Sequence, residues 1–272
     1  MHLIFKWLKK YYAVVKVTWI QTLEYRANAL VGIFAIFSGL LIEYLLWKRI
    51  FLTRNVEIIN GFTFEQLIVY LFFALMVGQL KSSWVNSFEM IESIRLGELN
   101  KYLIRPISFF YYNLSLFIGY NSLYFICYGS MSIIFPFLFP GLSFQTLHSI
   151  FGFIVFLILS IFISYGIYFI MICTAFWFGE ARALILAYNL ANVVLSGQLI
   201  PLKMFPDKIK NIIEMTPIPY LVDIPVSCAL GYIEPSLFLS KLKIGIIWAI
   251  IISIMGHLIY LLGIRRYEGF GG

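Results

Sequence analysis

The sequence predicts an all-α membrane protein with six transmembrane helices. The chain has 272 residues, of which 61% are hydrophobic and 12% are charged, whereas soluble domains carry about 25% charged residues. Its apolar runs are long and continuous rather than ~10-residue alternating segments, which excludes an outer-membrane barrel. Because a chain in lipid must satisfy its own backbone polar groups, each long run is expected to form a helix.

The chain begins with a basic amphipathic segment, residues 3–20. Its apolar residues recur at helical spacing and are interrupted by lysines: Leu3, Trp7, Tyr11, Val14 and Val15 with Lys6, Lys9, Lys10 and Lys16. We expect a helix in the membrane interface, with aromatic side chains toward lipid and lysines near the phosphates. A solvated lead-in to the first span is the alternative. The spread of lysines and the lack of a small-residue cleavage site argue against a signal peptide.

Six apolar runs are candidates for membrane spans, each of which needs about 20 mostly apolar residues. They are Ala27–Trp47, Gln66–Trp84, Ile107–Leu138, Leu147–Phe178, Ala183–Gln198 and Ile244–Ile264. Thr63 and Gln66 are spaced as a capping box that opens the second span. The fourth and fifth runs are separated only by "GEAR", in which Gly179 is a natural helix stop. We therefore expect a tight helical hairpin there, with its tip at a membrane surface.

The segment 199–243 differs from the spans because it holds six of the nine prolines in the chain. Its apolar pieces are too short to cross a bilayer. We expect short re-entrant helices on the outer side, covered by protein or lining a cavity.

Lysine and arginine counts indicate the orientation. With the N-terminus inside and six spans, 12 of the 20 Lys and Arg residues lie inside and eight outside, as the positive-inside rule requires. Both termini, the "GEAR" tip and residues 87–102 are then cytoplasmic. The formal net charge of +7 is explained by this flanking charge, and no basic, aromatic-studded soluble segment suggests a nucleic-acid partner.

Residues 87–102 form a predicted amphipathic helix on the cytoplasmic side. Charged residues recur every three or four positions from its start to just beyond its end: Glu89, Glu92, Arg95, Glu98, Lys101 and Arg105. Apolar residues fall between them. Gly97 is expected to bend this helix, and Pro106 to begin the third span. A solvated loop is the alternative, but amphipathicity over this length favours a docking surface for a soluble partner.

No pattern in the chain predicts catalysis. There is no Gly-rich loop ending in Gly-Lys-Ser/Thr, no nucleophile elbow, and no metal-ligand spacing among His2, His148 and His257. The three cysteines suggest neither a disulfide framework nor a metal site. We therefore expect no enzyme activity, no cofactor and no metal on this chain; if ATP drives it, hydrolysis occurs on another chain.

Glu43 is an ionisable residue within the first predicted span, and such residues are functional candidates. It either pairs with Lys48 or Arg49 or reaches the outer interface, or it faces a translocation path. In the second case it would attract cationic cargo, and the rings of Tyr44 and Trp47 could hold cations.

Three motifs together resemble the permease subunits of type-2 ATP-binding-cassette (ABC-2) exporters. They are "IRLGELNKYLIRPIS" (Ile94–Ser108), "LSGQLIPLKMFP" (Leu195–Pro206) and "PIPYLVDIPVSCALG" (Pro217–Gly231). The similarity is to the bacterial six-span branch in which permease and ATPase are separate chains. The order of elements matches over nearly the whole chain.

The resemblance implies two permeases, identical or related, docked on two ATPase subunits that hold ATP and Mg in a bacterial cytoplasmic membrane. Residues 87–102 would be the coupling helix, and the N-terminal helix and the tip residues Glu180 and Arg182 would add contacts. By motif position the path would be lined by residues of span five and the segment after it: Tyr188, Asn189, Asn192, Ser196, Gln198 and Pro201. Hydrogen bonding between helices explains these polar side chains equally well.

The resemblance leaves the cargo open among drugs, peptides, lipids and polysaccharides. A membrane scaffold or assembly protein without transport activity is the alternative function, and it would not need a coupling helix. An intramembrane enzyme is disfavoured because no metal or nucleophile constellation is present.

Overall fold

A computed structural model describes residues 2–24, 26–103, 108–138, 144 and 146–267. The longer helices there are α1 (His2–Glu24), α2 (Arg26–Arg54), α3 (Phe64–Leu80), α4 (Trp84–Arg95), α6 (Phe109–Leu138), α7 (Leu147–Cys173), α9 (Arg182–Leu195) and α12 (Pro235–Ile264). The shorter ones are α5 (Asn100–Leu103), α8 (Ala175–Phe178), α10 (Asp207–Glu214), α11 (Asp223–Ala229), and the 3-10 helices Leu202–Met204 and Ile218–Leu221. The predicted all-α class thus holds for the described residues, apart from one small hairpin.

That hairpin joins α2 to α3. Strands β1 (Ile58–Ile59) and β2 (Phe62–Thr63) are antiparallel. Asn60 and Gly61 form the turn with φ of +47° and +82°, the left-handed values that a tight type I′ hairpin turn needs and that Asn-Gly adopts readily. The hairpin was not predicted from the sequence, although this dipeptide is a local signal for it.

The start of α3 confirms the predicted capping box. The Gln66 backbone N–H donates to Thr63 Oγ1 over 3.3 Å, and the Thr63 N–H donates to Gln66 Oε1 over 3.1 Å. This arrangement satisfies two backbone donors that a helix otherwise leaves unpaired. The helix that follows is the most deeply buried span, packed against α2, α6 and α11.

The connection from α7 to α9 turns where the sequence predicts a hairpin tip. Gly179 follows α8 with φ of +68°, and α9 begins three residues later at Arg182. Helix α9 has 14 residues and is therefore shorter than a helix that crosses a ~30 Å core.

The predicted segment of short helices is also observed, but it ends earlier than expected. It contains α10, α11 and the two 3-10 helices, and α11 packs against α7 and α3. Helix α12 then begins at Pro235 instead of at Ile244, so residues 235–243 belong to the last long helix. Pro235 is suited to the first helical turn because it lacks a backbone N–H.

Four helical stretches within the described residues are long and apolar enough to cross a membrane: Leu30–Arg54, Phe64–Arg95, Leu147–Phe178 and Pro235–Ile264. Helices α6 and α9 occupy the positions of the other two predicted spans, and the count of six stays a prediction. Helices α7 and α12 pack closely through small residues; a Cβ on Gly166 would lie 2.6 Å from Ile252 Cγ2, a spacing typical of membrane helix pairs.

Candidate functional site

Helix α4 carries the first half of the predicted coupling segment and is anchored by its apolar face. Met90, Ile91 and Ile94 are at most 5% exposed and pack in one apolar cluster with residues of α7 and α8. Gly97 then adopts φ of +77°, where the sequence predicts a bend, and α5 follows. The predicted helix 87–102 is therefore two helices with a turn between them, and the first starts at Trp84.

The "GEAR" turn contacts α4 through an ion pair. The guanidinium of Arg182 forms an ion pair with one carboxylate oxygen of Glu92, and the other oxygen accepts from Arg95. Arg182 also lies over the Phe88 ring, with its Cζ 6.0 Å from the ring centroid. Glu180 Oε1 accepts the backbone N–H groups at the start of α9, including that of Arg182 over 2.9 Å. The structure thus brings together four of the predicted coupling residues: Glu92, Arg95, Glu180 and Arg182.

Of the remaining predicted coupling residues, Glu89 does not join this cluster. Glu89 points to α6, where its Oε2 accepts from the Tyr120 hydroxyl over 3.2 Å. Glu98 is exposed and Lys101 lies in α5, while Arg105 lies outside the described residues. The charged residues of α4 therefore do not form one continuous edge, because Glu89 contacts α6 and Glu92 contacts Arg182.

The residues that follow α12 reach the same place through a contact that was not predicted. The Leu99 backbone N–H donates to the Tyr267 hydroxyl over 3.1 Å. Tyr11 of α1 also lies near this end and accepts from the Ser108 N–H over 3.1 Å. Elements predicted to share one membrane side are thus found at one end of the molecule.

A polar seam joins α7 to α9 and contains most of the predicted path residues. The Tyr168 hydroxyl of α7 donates to Asn189 Oδ1 over 2.5 Å, and the Tyr168 and Tyr188 rings meet edge to face with centroids 5.5 Å apart. Tyr188 Oη, Asn192 Oδ1 and Ser196 Oγ are buried and have no hydrogen-bond partner among the described residues. Buried polar groups are rarely left so, which makes this seam a candidate site.

Lys81, at the C-terminal end of α3, is a site residue that sequence reasoning missed. It is 3% exposed, and within the described part of the chain no carboxylate forms an ion pair with it. The Ser164 hydroxyl of α7 donates to its backbone carbonyl over 2.9 Å. A buried lysine without a counter-ion is costly, and its position inside the predicted span Gln66–Trp84 is the available signal in the sequence.

At the other end of the seam, Tyr70 of α3 holds the segment that follows α9. Its hydroxyl is 2.9 Å from Gly197 O and 2.8 Å from Asp223 Oδ1 and donates to these acceptors. The same carboxylate oxygen accepts from the Leu202 N–H over 3.2 Å. Burial raises the pKa of the Asp223 carboxyl, and the hydrogen bonds from Tyr70 and Leu202 partly oppose this rise. Neither Tyr70 nor Asp223 was predicted, since only tertiary packing brings them together.

The last two predicted path residues belong to this held segment. Gln198 lies against Gly78 of α3, where a Cβ would come within 2.5 Å of the Gln198 amide. Pro201 is buried in the same segment. Gln198 thus contacts α3, and it directly follows Gly197, whose φ is +88°.

Glu43 is not part of the seam. It lies on α2, which packs mainly against α3, and its Oε2 is buried with no hydrogen-bond partner among the described residues. The expected pairing is not observed: none of the ion pairs between described residues joins Glu43 to Lys48 or Arg49. Lys48 lies instead over the Tyr44 ring, with its Nζ 5.7 Å from the centroid.

Comparison with known proteins places these features in a family. A family model described as "ABC-2 family transporter protein" matches residues 25–271, which is nearly the whole chain. Comparison with curated proteins gives no match. Among the described residues, no three His, Cys, Asp or Glu side chains are grouped to hold a metal ion.

Proposed function

The chain belongs to the ABC-2 family of transporter proteins, and from this premise we propose that it is the permease subunit of an ATP-driven exporter. It would form a translocation path and couple that path to a separate ATPase chain that binds ATP and Mg. The observation that carries the coupling proposal is the link from α4 to the start of α9 through Glu92 and Arg182.

The position of α4 suits the transmission of force. Its apolar face is buried against α7 and α8, and its charged residues contact the first turn of α9. A partner that pushes α4 would therefore move the two helices that border the polar seam as a unit. Such rigid shifts of packed helices are a common form of switching transition.

The seam between α7 and α9 supports the path proposal. Tyr188, Asn192 and Ser196 present buried polar atoms without partners in the described part of the chain, and Lys81 lies at the cytoplasmic end of α3. A second permease, identical or related, would cover the exposed apolar side of α9, on which Leu186 and Leu190 are 56% and 74% exposed. Membrane lipid would cover the remaining apolar surface.

The proposed orientation has both termini in the cytoplasm of a bacterium. Support comes from the shared location of α1, α4, the "GEAR" turn and the end of α12, which the hydrogen bonds of Tyr11 and Tyr267 and the ion pair of Arg182 bring to one end. An interfacial α1 at this end fits the basic, aromatic composition of that helix.

Photo-crosslinking tests the docking of an ATPase. Leu96 is 53% exposed next to α4, whereas Ile212 is 67% exposed on α10, which the proposed orientation places on the outer side. With p-benzoylphenylalanine at position 96 we expect a covalent adduct with an ATPase chain in the presence of ATP and Mg, and none from position 212. Equal yields from the two positions, or no ATPase adduct from position 96, would contradict the proposal and favour a scaffold protein.

A further inference from the structure

A cavity lies outside the α7–α9 seam. It is enclosed by α1, the start of α4 and α6, and its volume is about 560 Å³, which is within the usual range for small-molecule sites. Its wall is formed largely by hydroxyl, amide, carboxylate and aromatic side chains.

The cavity is acidic although the chain is basic overall. Glu24 of α1 and Glu89 of α4 line it, and no lysine or arginine is found among its described lining residues, in a chain with a formal charge of +7. Glu89 is oriented by the Tyr120 hydroxyl, which donates to its Oε2 over 3.2 Å. These charges favour a cation and disfavour phosphate or carboxylate ligands.

Two buried side chains in the wall carry oxygen atoms that no described residue hydrogen-bonds. Ser83 and Asn86 line the cavity and are 3% and 2% exposed. The Asn86 amide nitrogen donates to Asn113 O over 3.4 Å, but Asn86 Oδ1 and Ser83 Oγ have no hydrogen-bond partner among the described residues. Both oxygens can accept, and a small shift of either side chain toward the cavity would let a ligand that brings N–H donors satisfy them.

Aromatic rings complete the wall. Trp84 and Tyr120 line the cavity beside the two glutamates, and Trp84 is held edge to face against Phe88 with centroids 5.7 Å apart. Aromatic faces attract ammonium groups, and tryptophan does so most strongly.

From this combination we propose that the cavity binds an organic cation with a primary ammonium group. The carboxylates and rings select positive charge, and the unmet acceptors on Ser83 and Asn86 select N–H donors over a quaternary ammonium. The site is separate from the polar seam, and the proposal does not depend on coupling to an ATPase. Glu89, expected from the sequence to face a partner ATPase, would face this ligand instead.

Binding can be measured on the full chain in phosphatidylcholine nanodiscs by isothermal titration calorimetry. The probes are 2-phenylethylammonium and its N,N,N-trimethyl analogue. We expect the primary ammonium to bind more tightly, and the Glu24→Gln/Glu89→Gln double variant to weaken it by about tenfold or more. Glu65→Gln, which changes an exposed carboxylate at the other end of α3, is the matched control and should bind like the original chain.

Equal affinity for the two probes, or unchanged affinity in the double variant, would overturn the proposal. The single variant Glu89→Gln, at an exposed position, keeps the test valid should the double variant fail to fold. Adding phosphatidylethanolamine to the nanodiscs distinguishes two sources of the ammonium group. Competition with the probe assigns the site to a lipid headgroup, and no competition assigns it to a soluble amine. Because the titration contains no ATP, a negative binding result would not count against the coupling proposal.

Discussion

Arg182, at the first position of α9, forms an ion pair with Glu92 near the end of α4. The two residues are 90 positions apart in the chain and connect the turn after α8 with the helix that precedes α5. The Glu92 carboxylate also accepts from Arg95 on the same helix, and this second contact orients it toward Arg182. The pair is partly exposed to solvent, and its value is therefore expected to lie in positioning α9 relative to α4 rather than in stability.

Exchanging the charges of this pair tests its role in coupling. Glu92→Arg and Arg182→Glu should each lower ATP-driven transport by about fivefold or more, the lower end of typical coupling between sites. The double exchange should recover part of the loss because the attraction is restored, while the like charges it places beside Arg95 and Glu180 keep the recovery incomplete. The measurement is ATP-driven transport in proteoliposomes that contain the chain and its ATPase. The matched control exchanges Lys210 and Glu214 on α10, a pair 3.8 Å apart, and should leave transport unchanged; a double variant no better than either single one would count against the pair.

Local signals in the sequence predicted local features of the fold. Thr63 and Gln66 cap α3 as expected, and Gly179 has the left-handed φ of a helix stop, because both effects depend on a few neighbouring residues. The Asn60–Gly61 turn carries an equally local signal, but only a short loop between spans is predicted from the sequence at this position.

Long-range contacts of the candidate site could not be predicted in this way. Charge periodicity predicts Glu92 on the charged edge of a helix, and the "GEAR" interruption predicts Arg182 at a hairpin tip. Neither signal could pair them, since their contact depends on how α4 packs against α8 and α9. Lys81 was counted as an ordinary flanking lysine, whereas α7 covers it. Glu89 and Glu92 have the same local sequence pattern and still face different neighbours.

The Tyr70 hydroxyl is expected to stabilise the segment after α9. Tyr70→Phe leaves the Gly197 carbonyl and the Asp223 carboxyl without their shared donor in a buried site, which should cost about 1–3 kcal/mol of unfolding free energy. Tyr128→Phe is the matched control, because the Tyr128 hydroxyl is buried without a hydrogen-bond partner in the described part of the chain. Thermal unfolding in detergent compares the two. Similar melting temperatures for the two variants would show that the Tyr70 bonds contribute nothing.

Gly197 is predicted to be required for the stability of the folded chain, for two separable reasons. Its φ of +88° is left-handed, and an added Cβ would lie 2.7 Å from the Tyr70 hydroxyl and 3.1 Å from Asp223 Cβ. Gly231 has a similar φ of +72° with no atom within 4 Å of an added Cβ. Gly231→Ala should therefore cost only about 1–2 kcal/mol of backbone strain, and Gly197→Ala clearly more. Equal losses in thermal unfolding would mean that the segment shifts to accept the methyl group.

Lys81 is predicted to lower the stability of the isolated chain. A buried ammonium without a counter-ion among the described residues is unfavourable, so Lys81→Met should raise the melting temperature; in a chain of this size 1 kcal/mol corresponds to roughly 2–4 °C. Lys203→Met is the control, because Lys203 is exposed with its Nζ 5.6 Å from the Phe62 ring centroid, and its loss should be neutral or slightly destabilising. Charged residues retained at such a cost are usually functional, so transport with the ATPase partner should fall in the same Lys81→Met variant. A lower melting temperature would instead indicate that the folded chain supplies Lys81 with a compensating partner.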